Sequence, residues 1–396
     1  MTPKHWLALI GLTLTTFIFN TSEFIPIGLL TDIASEFGMT EARAGMLISV
    51  YAWMVMLLSL PLMLLTSRVG LRRLMLCVTF LFFIFQVCSA LSPTYGTLMA
   101  SRIGVACTHA IFWSIVSPVA VSVVPERHRP IALSMVITGS SIAMILGMPL
   151  GRFIGLQVGW RMTFVCIAAF SLFTFIYLLC TLHQVPSHGG FAIRRLPELL
   201  RNRTLMSIFC LTLLFATAYY TGYSYIEPFL LQVAHMSENL ITLTLMLFGI
   251  AGICGSFAFS RFYPRYPSAF ITLALLGIFL CLLFLYSATA AIPLTIALCA
   301  VWGMAATSYN VSFQSEIITH TTEDATPIAM SISSGIFNLG IATGTLIGGG
   351  VCTHVSIAYI GFIGAFIALA ALVFWWFVLR PRLHAPASAR HSQTLS

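Results

Sequence analysis

Pro130-Ile131-Ala132-Leu133-Ser134 returns as Pro327-Ile328-Ala329-Met330-Ser331, 197 residues further along a chain of 396. At the same offset Gly147 meets Gly344, and Gly151 meets Gly348. An echo displaced by half the chain, with two glycines in register behind it, marks a parallel duplication. The second half then repeats the fold of the first, and whatever the first half builds must be sought twice.

Composition identifies the solvent. Hydrophobic residues make up 59% of the chain and charged residues 8%, against about 25% charged in soluble domains. No soluble fold hides that much apolar surface, so lipid surrounds most of it. A helix of about 20 apolar residues crosses a bilayer. Such stretches fall near 6–30, 43–65, 74–92, 96–121, 131–155 and 161–182, then near 205–229, 239–259, 268–288, 291–315, 328–350 and 356–379. The expected fold class is an all-α membrane protein with twelve transmembrane helices in two pseudo-symmetric six-helix bundles. The expected domains are 1–182 and 205–380, with a cytoplasmic linker at 183–204 and a polar, disordered tail at 381–396.

Charge sets the orientation. With a cytoplasmic N-terminus, fifteen of the nineteen basic residues face the cytoplasm, among them Arg68, Arg72, Arg73, Arg127, Arg129, Arg261, Arg265 and the linker residues Arg194, Arg195, Arg201 and Arg203. The positive-inside rule therefore puts both termini in the cytoplasm. The net charge of +8 is loop charge for topology. No basic run interleaves with stacking aromatics, so nucleic acid is not an expected partner. Residues 7–19 mimic a signal-peptide core, but the apolar run continues to Leu30 without a cleavage motif, which makes it an uncleaved first span. All ten cysteines lie in or at the edge of spans with no metal-ligand spacing, so they read as small buried hydrophobes. No cofactor, metal or oligomer is implied. The absence of G-x-x-x-x-G-K-[ST], H-E-x-x-H and G-x-S-x-G argues against ATP-driven transport and against an intramembrane enzyme.

Polar residues inside the spans carry the function. A carboxylate in an apolar helix is costly and faces a cavity or a partner. Glu23 lies about 10 Å from the outer end of the first span, with Pro26 just beyond it to loosen the helix. Burial favours its neutral acid and a nearby cation its carboxylate. A group between those pressures can load and release protons, the alternative being a permanent ion pair that locks helices. Arg102 and His109 share one face of the fourth span and Trp113 continues it. Arg102 lies near Glu23 in depth, so a Glu–Arg contact and a Glu–His relay are both open. Proton coupling is assigned to Glu23, Arg102 and His109.

Substrate contact is assigned to Asn20, His109, Trp113, Tyr220, Tyr223, Glu227, Asn310 and Asn338. Tyr220, Tyr223 and Glu227 share a face of the seventh span, and Glu227-Pro228 parallels Glu23 and Pro26. Glu227 is expected only a couple of residues from the outer end, within reach of water. Asn310 and Gln314 share a face with Thr307, as Asn338 does with Ser331 and Ser334. Such amides also serve simply to tie helices together. Gly147 and Gly151 in the fifth span, and Gly335, Gly340, Gly344 and Gly348 in the eleventh, make smooth faces that let backbones approach and slide.

Three motifs resemble the major facilitator superfamily, and within it the twelve-span drug:proton antiporter branch. Ser67-Arg68-Val69-Gly70-Leu71-Arg72-Arg73 is similar to its D-R-x-G-R-R loop, with Ser67 at the aspartate position and Leu71 replacing an arginine. Arg102 stands where the branch carries a membrane arginine. Gly139 with Gly147-Met148-Pro149-Leu150-Gly151 resembles its fifth-span motif. The strings NTSEFIPIGLLTDIA, SRIGVACTHAIFWSI, GMPLGR, GWRMTF, YSYIEPF and SGIFN further resemble bacterial sugar efflux transporters. The resemblance implies the major facilitator fold in the bacterial inner membrane. It also implies export of neutral sugars such as arabinose, lactose and related galactosides, driven by inward proton flow. The alternative it leaves is a multidrug:proton antiporter for cationic or amphipathic compounds. The direction of transport comes from the resemblance alone.

Overall fold

The computed structural model describes residues 2–66, 69–182, 200–321 and 326–384. Residues 183–199 of the expected linker 183–204, the expected tail from 385 and the motif residues Ser67 and Arg68 lie outside them. Among the described residues every regular element is helical. Ten helices are long and apolar enough to cross a membrane, and two shorter apolar helices, Ile131–Ser140 and Pro267–Leu283, fall at the expected fifth and ninth spans. Large apolar side chains face outward, Phe366 at 74% exposure and Phe377 at 73%. That surface belongs against lipid, making this a multi-pass membrane protein.

The chain forms two compact units, Met1–Gly190 with Ser237–Met246, and Phe191–Met236 with Leu247–Ser396. In the first, α1 (Pro3–Gly28) packs on α7 (Arg129–Ile142), α8 (Met148–Val158) and α9 (Trp160–Thr181). Helix α5 (Leu71–Ala90) packs on α9 and on α6 (Tyr95–Ser122), which also meets α4 (Met46–Thr66). Two short helices, α2 (Leu30–Glu36) and α3 (Glu41–Ala44), join α1 to α4. The second unit repeats this arrangement. Helix α10 (Arg203–Tyr223) packs on α16 (Thr326–His354) and α17 (Ile360–Phe374), and α13 (Pro267–Leu283) packs on α17 and on α15 (Ile292–Thr319). Between α10 and α13 run α11 (Ile226–Gln232) and α12 (Glu238–Phe262); α14 (Leu285–Ala288) precedes α15. The last helix, α18 (Arg380–His384), carries helical structure four residues into the expected disordered tail, because nothing in Arg-Pro-Arg-Leu-His stops a helix whose proline sits in its first turn.

The duplication is visible in the packing of its glycines. A Cβ at Gly147 would stand 2.8 Å from Thr21 Oγ1 of α1, and one at Gly344 2.5 Å from the Thr217 carbonyl of α10. Gly151 meets Ile25 and Gly348 meets Thr221 and Tyr225 in the same way. In each unit, small residues bring the first helix and its partner into backbone contact.

Several spans are broken where one continuous helix was expected. Span 131–155 divides at a π turn, Ala143–Gly147, ahead of Pro149. Proline has no N–H for the carbonyl four residues back and its ring crowds that carbonyl, so the helix widens there. Leu29 separates α1 from α2, and the Ser224–Tyr225 turn separates α10 from α11. Gly159 reverses the chain between α8 and α9 at φ 92°, which only glycine adopts without strain.

At one end of the first unit, Trp160 and Arg161 both donate to the Glu36 carboxylate, and Arg161 Nη2 reaches Ser92 O at 2.9 Å. Partial burial pushes the Glu36 carboxyl up, but the bonds from Arg161 and Trp160 outweigh it and hold it below the usual carboxylate range. The folded state thus favours the ionised form. Its stabilisation is complete above the unfolded carboxyl range and is lost as pH falls through the depressed folded value. The Glu36 side chain is 44% exposed, so solvent screening keeps the effect below about 1 kcal/mol. Glu36→Gln should melt slightly below wild type at pH 7, and the gap should close as the melts are repeated toward pH 3.

Candidate functional site

Pro26 determines the centre of the first unit. Lacking an N–H, it leaves the Ser22 carbonyl without its helical partner. Arg102 Nη2 takes that carbonyl at 3.0 Å, and Nη1 reaches Ser22 Oγ at 3.1 Å. Gln86 Nε2 donates to the same hydroxyl at 2.5 Å. The guanidinium lies over the Tyr51 ring at 4.6 Å and near Phe164 at 5.9 Å. Arg102 is 1% exposed, so four helices clamp a charge that never leaves.

That clamp settles which partner Glu23 meets. Of the two contacts open in the sequence, the geometry brings His109 to Glu23, with Nε2 at 3.5 Å from Oε2. Arg102 binds next door, at Ser22. Trp113 Nε1 also donates to His109 Nε2, at 2.6 Å. One ring nitrogen therefore faces both an indole N–H and a carboxylate. Tyr51 and Phe19 flank the imidazole, at ring distances of 5.6 and 6.2 Å. Asn20 Nδ2 donates to Ser140 Oγ at 2.7 Å, tying α1 to α7. Around this point Thr21 Oγ1, Ser49 Oγ, Tyr51 OH, Gln86 Oε1, Arg102 Nε and His109 Nδ1 are buried and make no hydrogen bond among the described residues. Buried polar atoms are nearly always satisfied, so this cluster is chemically suited to water or to a hydroxyl-rich ligand.

The second unit holds an aromatic cluster at the corresponding place. Tyr219, Tyr220 and Tyr223 of α10 meet Phe248 of α12 and Trp302 of α15, with Tyr219–Tyr223 at 4.8 Å and Tyr223–Trp302 at 6.1 Å. Tyr220 lies edge-on to Phe337, at 5.9 Å. Glu227 corrects an expectation. It is 1% exposed rather than within reach of water, because α11 folds inward after the Ser224–Tyr225 turn. Asn310 Nδ2 returns to Ala306 O at 3.2 Å, and Asn338 Nδ2 to Ser334 O at 3.0 Å. Each amide thus spends one donor on its own helix, and the buried Asn338 Oδ1 makes no hydrogen bond among the described residues.

Sequence reasoning passed over Ser22, Tyr51, Gln86, Arg152 and Glu316. The Ser22 carbonyl was signalled by Pro26 four residues on. Arg152 lies within the expected fifth span, 1% exposed, and donates to Gly28 O at 2.8 Å where α1 ends. Glu316 accepts from Tyr263 OH at 2.5 Å and faces His320 Nδ1 at 3.4 Å. Tyr51 and Gln86 carried no local signal.

A multi-pass helical body of two repeated units, with ionisable groups fixed deep among its helices, defines a membrane transporter rather than an enzyme. The profile of the Major Facilitator Superfamily matches residues 12–327, and the chain belongs to that family. Among solved structures it is similar to a bacterial homologue of the human lysosomal transporter Spinster in an inward-facing, unoccupied conformation. That match has 15% identity and a TM-score of 0.78, covering 98% of this chain and 100% of the other. It is also similar to the human organic anion transporter MFSD10, with 14% identity and a TM-score of 0.69, covering 94% and 100%. At those identities the likeness is one of fold, and membership implies a small-molecule substrate.

Proposed function

We propose that the chain exports neutral sugars, arabinose, lactose and related galactosides among them, in exchange for inward-moving protons by alternating access of its two halves. One observation carries the coupling: His109 Nε2 stands between Trp113 Nε1 and Glu23 Oε2. While Trp113 donates to Nε2, the neutral imidazole keeps its proton on Nδ1. Glu23 can then bond the ring only if a proton lies between them, on the acid or on an imidazolium. A proton arriving at this pair competes with the indole for one nitrogen and frees Trp113. Loading from the outer side thus changes the donor set offered to a sugar, and release to the cytoplasm restores it.

The sugar assignment rests on the resemblance of the six strings quoted above to the sugar efflux transporter SotB, and on the donor and acceptor character of the cluster around Glu23. The arginine distribution supports cytoplasmic termini, and the resemblance supports an inner-membrane location. The second reading, a multidrug:proton antiporter, is favoured by Tyr219, Tyr220, Tyr223 and Trp302, whose ring faces attract cationic and amphipathic compounds. Proteoliposomes with an acid lumen separate the two. Labelled sugar should accumulate against its gradient and leave when a protonophore collapses the pH difference. If no sugar in the panel accumulates while ethidium does, the sugar reading fails and the antiporter reading stands.

A further inference from the structure

A groove of about 540 Å³ runs between α5 and α9 in the first unit, away from the Glu23 cluster. Arg72 and Arg73 stand at one end, and Leu76, Phe80, Phe175 and Leu179 line the rest. Its volume suits an organic ligand. Its lining is sharply divided, with two guanidiniums at the mouth and apolar side chains below. Phe80 and Phe175 form the floor with their rings 5.1 Å apart. The groove opens on the surface that faces lipid: Phe80 is 40% exposed and Leu179 48%, beside the outward-facing Leu81 and Phe173.

Arg72 is held in place, and among the described residues no carboxylate neutralises either arginine. Arg72 donates Nε to Leu182 O at 2.6 Å and Nη2 to Leu179 O at 3.4 Å, at the C-terminal end of α9. Those bonds use two of the five N–H groups of the guanidinium. Arg73 is exposed and, among the described residues, neither arginine has a carboxylate within 4 Å. The sequence supplies none nearby in the chain, since no acidic residue occurs between Glu41 and Glu126, or between Glu126 and Glu198. Helices α5 and α9 themselves thus carry positive charge alone, as Arg72, Arg73 and Arg161. A basic pocket between transmembrane helices, at the end rich in arginine, is the setting in which anionic headgroups bind.

We propose that this groove binds an anionic phospholipid of the leaflet at that end. Its phosphate sits on Arg72 and Arg73, and one acyl chain lies along Leu76, Phe80, Phe175 and Leu179. Seven residues from Arg73 to Phe80 give a trough about 10 Å long. A free anion would gain nothing from that floor and a sugar would find no donors in it. A phospholipid matches both ends at once. Because Arg72 also ties α5 to the end of α9, an occupied headgroup site brings lipid charge to a helix–helix joint of the first unit.

Native mass spectrometry of the delipidated full chain, titrated with phosphatidylglycerol or phosphatidylcholine of identical acyl chains, tests this. Phosphatidylglycerol should bind more tightly, and its affinity should fall with added salt. Each arginine near a membrane surface contributes a factor of about five toward an anionic lipid. Arg73→Gln should therefore weaken phosphatidylglycerol about fivefold, and Arg72→Gln with Arg73→Gln about 25-fold, whereas Arg261→Gln in the other unit should change nothing. If the double variant fails to fold, Arg73→Gln alone carries the test, because that side chain is exposed and makes no hydrogen bond or ion pair among the described residues. Equal binding of the two lipids, or wild-type affinity in Arg73→Gln, overturns the proposal. Displacement of phosphatidylglycerol by millimolar inorganic phosphate also overturns it, in favour of a free-anion site.

Discussion

Glu23→Gln is expected to reduce pH-gradient-driven sugar accumulation to the level of protein-free vesicles, while downhill exchange of labelled for unlabelled sugar continues. The amide keeps the size of the side chain and its capacity to hydrogen-bond, but it can neither take up nor release a proton. Arg102 is what makes the test informative. Its guanidinium is bonded to the Ser22 carbonyl and hydroxyl, and those bonds remain when Glu23 is replaced. A permanent Glu–Arg pair would have behaved differently, since removing one member of a buried ion pair costs about 3–5 kcal/mol. Loss of coupling with an unchanged melting temperature in detergent therefore separates a proton carrier from a structural lock. Uphill transport by the variant, or a collapse in melting temperature with exchange also lost, would remove Glu23 from the coupling role. Trp113→Phe deletes the indole donor to His109, and because that donor links proton loading to the sugar site, it should weaken both sugar binding and pH-gradient-driven accumulation.

The fold could be read from the chain because lipid imposes a simple rule: an apolar run of sufficient length must be a helix. The echo of Pro130–Ser134 at Pro327–Ser331 then placed α7 and α16 as counterparts, and the glycine contacts with α1 and α10 give that correspondence a physical cause. Span ends and breaks were less legible. Leu29 and the Ser224–Tyr225 turn interrupt stretches expected as single spans, at places where Pro26 and Pro228 stand close by. For the site, the cost of burying charge singled out Glu23, Arg102 and His109 individually. It could not decide the pairing, because that depends on how α1 and α6 are rotated against each other. Tyr51 and Gln86 were invisible for a similar reason, since each sits in an ordinary apolar helix and matters only through contacts from α4 and α5. The same cost argument applied to Arg152 as to Arg102, and it went unused because that residue lay near a span end.

Gly344→Ala and Gly335→Ala, two substitutions nine residues apart on α16, should move stability in opposite directions. At Gly344 the added Cβ would lie 2.5 Å from the Thr217 carbonyl oxygen, 3.0 Å from Thr221 N and 3.1 Å from Tyr220 Cβ. Two of those neighbours are backbone atoms of α10, which cannot rotate aside, so α16 must move away from α10 along their whole contact. Overpacking of this kind costs about 1–3 kcal/mol. At Gly335 nothing lies within 4 Å, and the change should gain up to about 1 kcal/mol from helix propensity alone. Melting curves of the purified chain should place Gly344→Ala several degrees below wild type and Gly335→Ala at or above it. The duplicated position gives an internal control. At Gly147 the nearest atom to a new Cβ is the Thr21 hydroxyl, 2.8 Å away, which can rotate aside, and the nearest backbone atom, Thr21 Cα, stands at 3.1 Å rather than the 2.5 Å of the Thr217 carbonyl. Gly147→Ala should therefore be milder than Gly344→Ala although the repeat makes the two glycines equivalent. Equal losses at both would mean that helix spacing, not the identity of the atom met, sets the cost. A neutral Gly344→Ala would mean that α10 and α16 do not approach as closely as their glycines require.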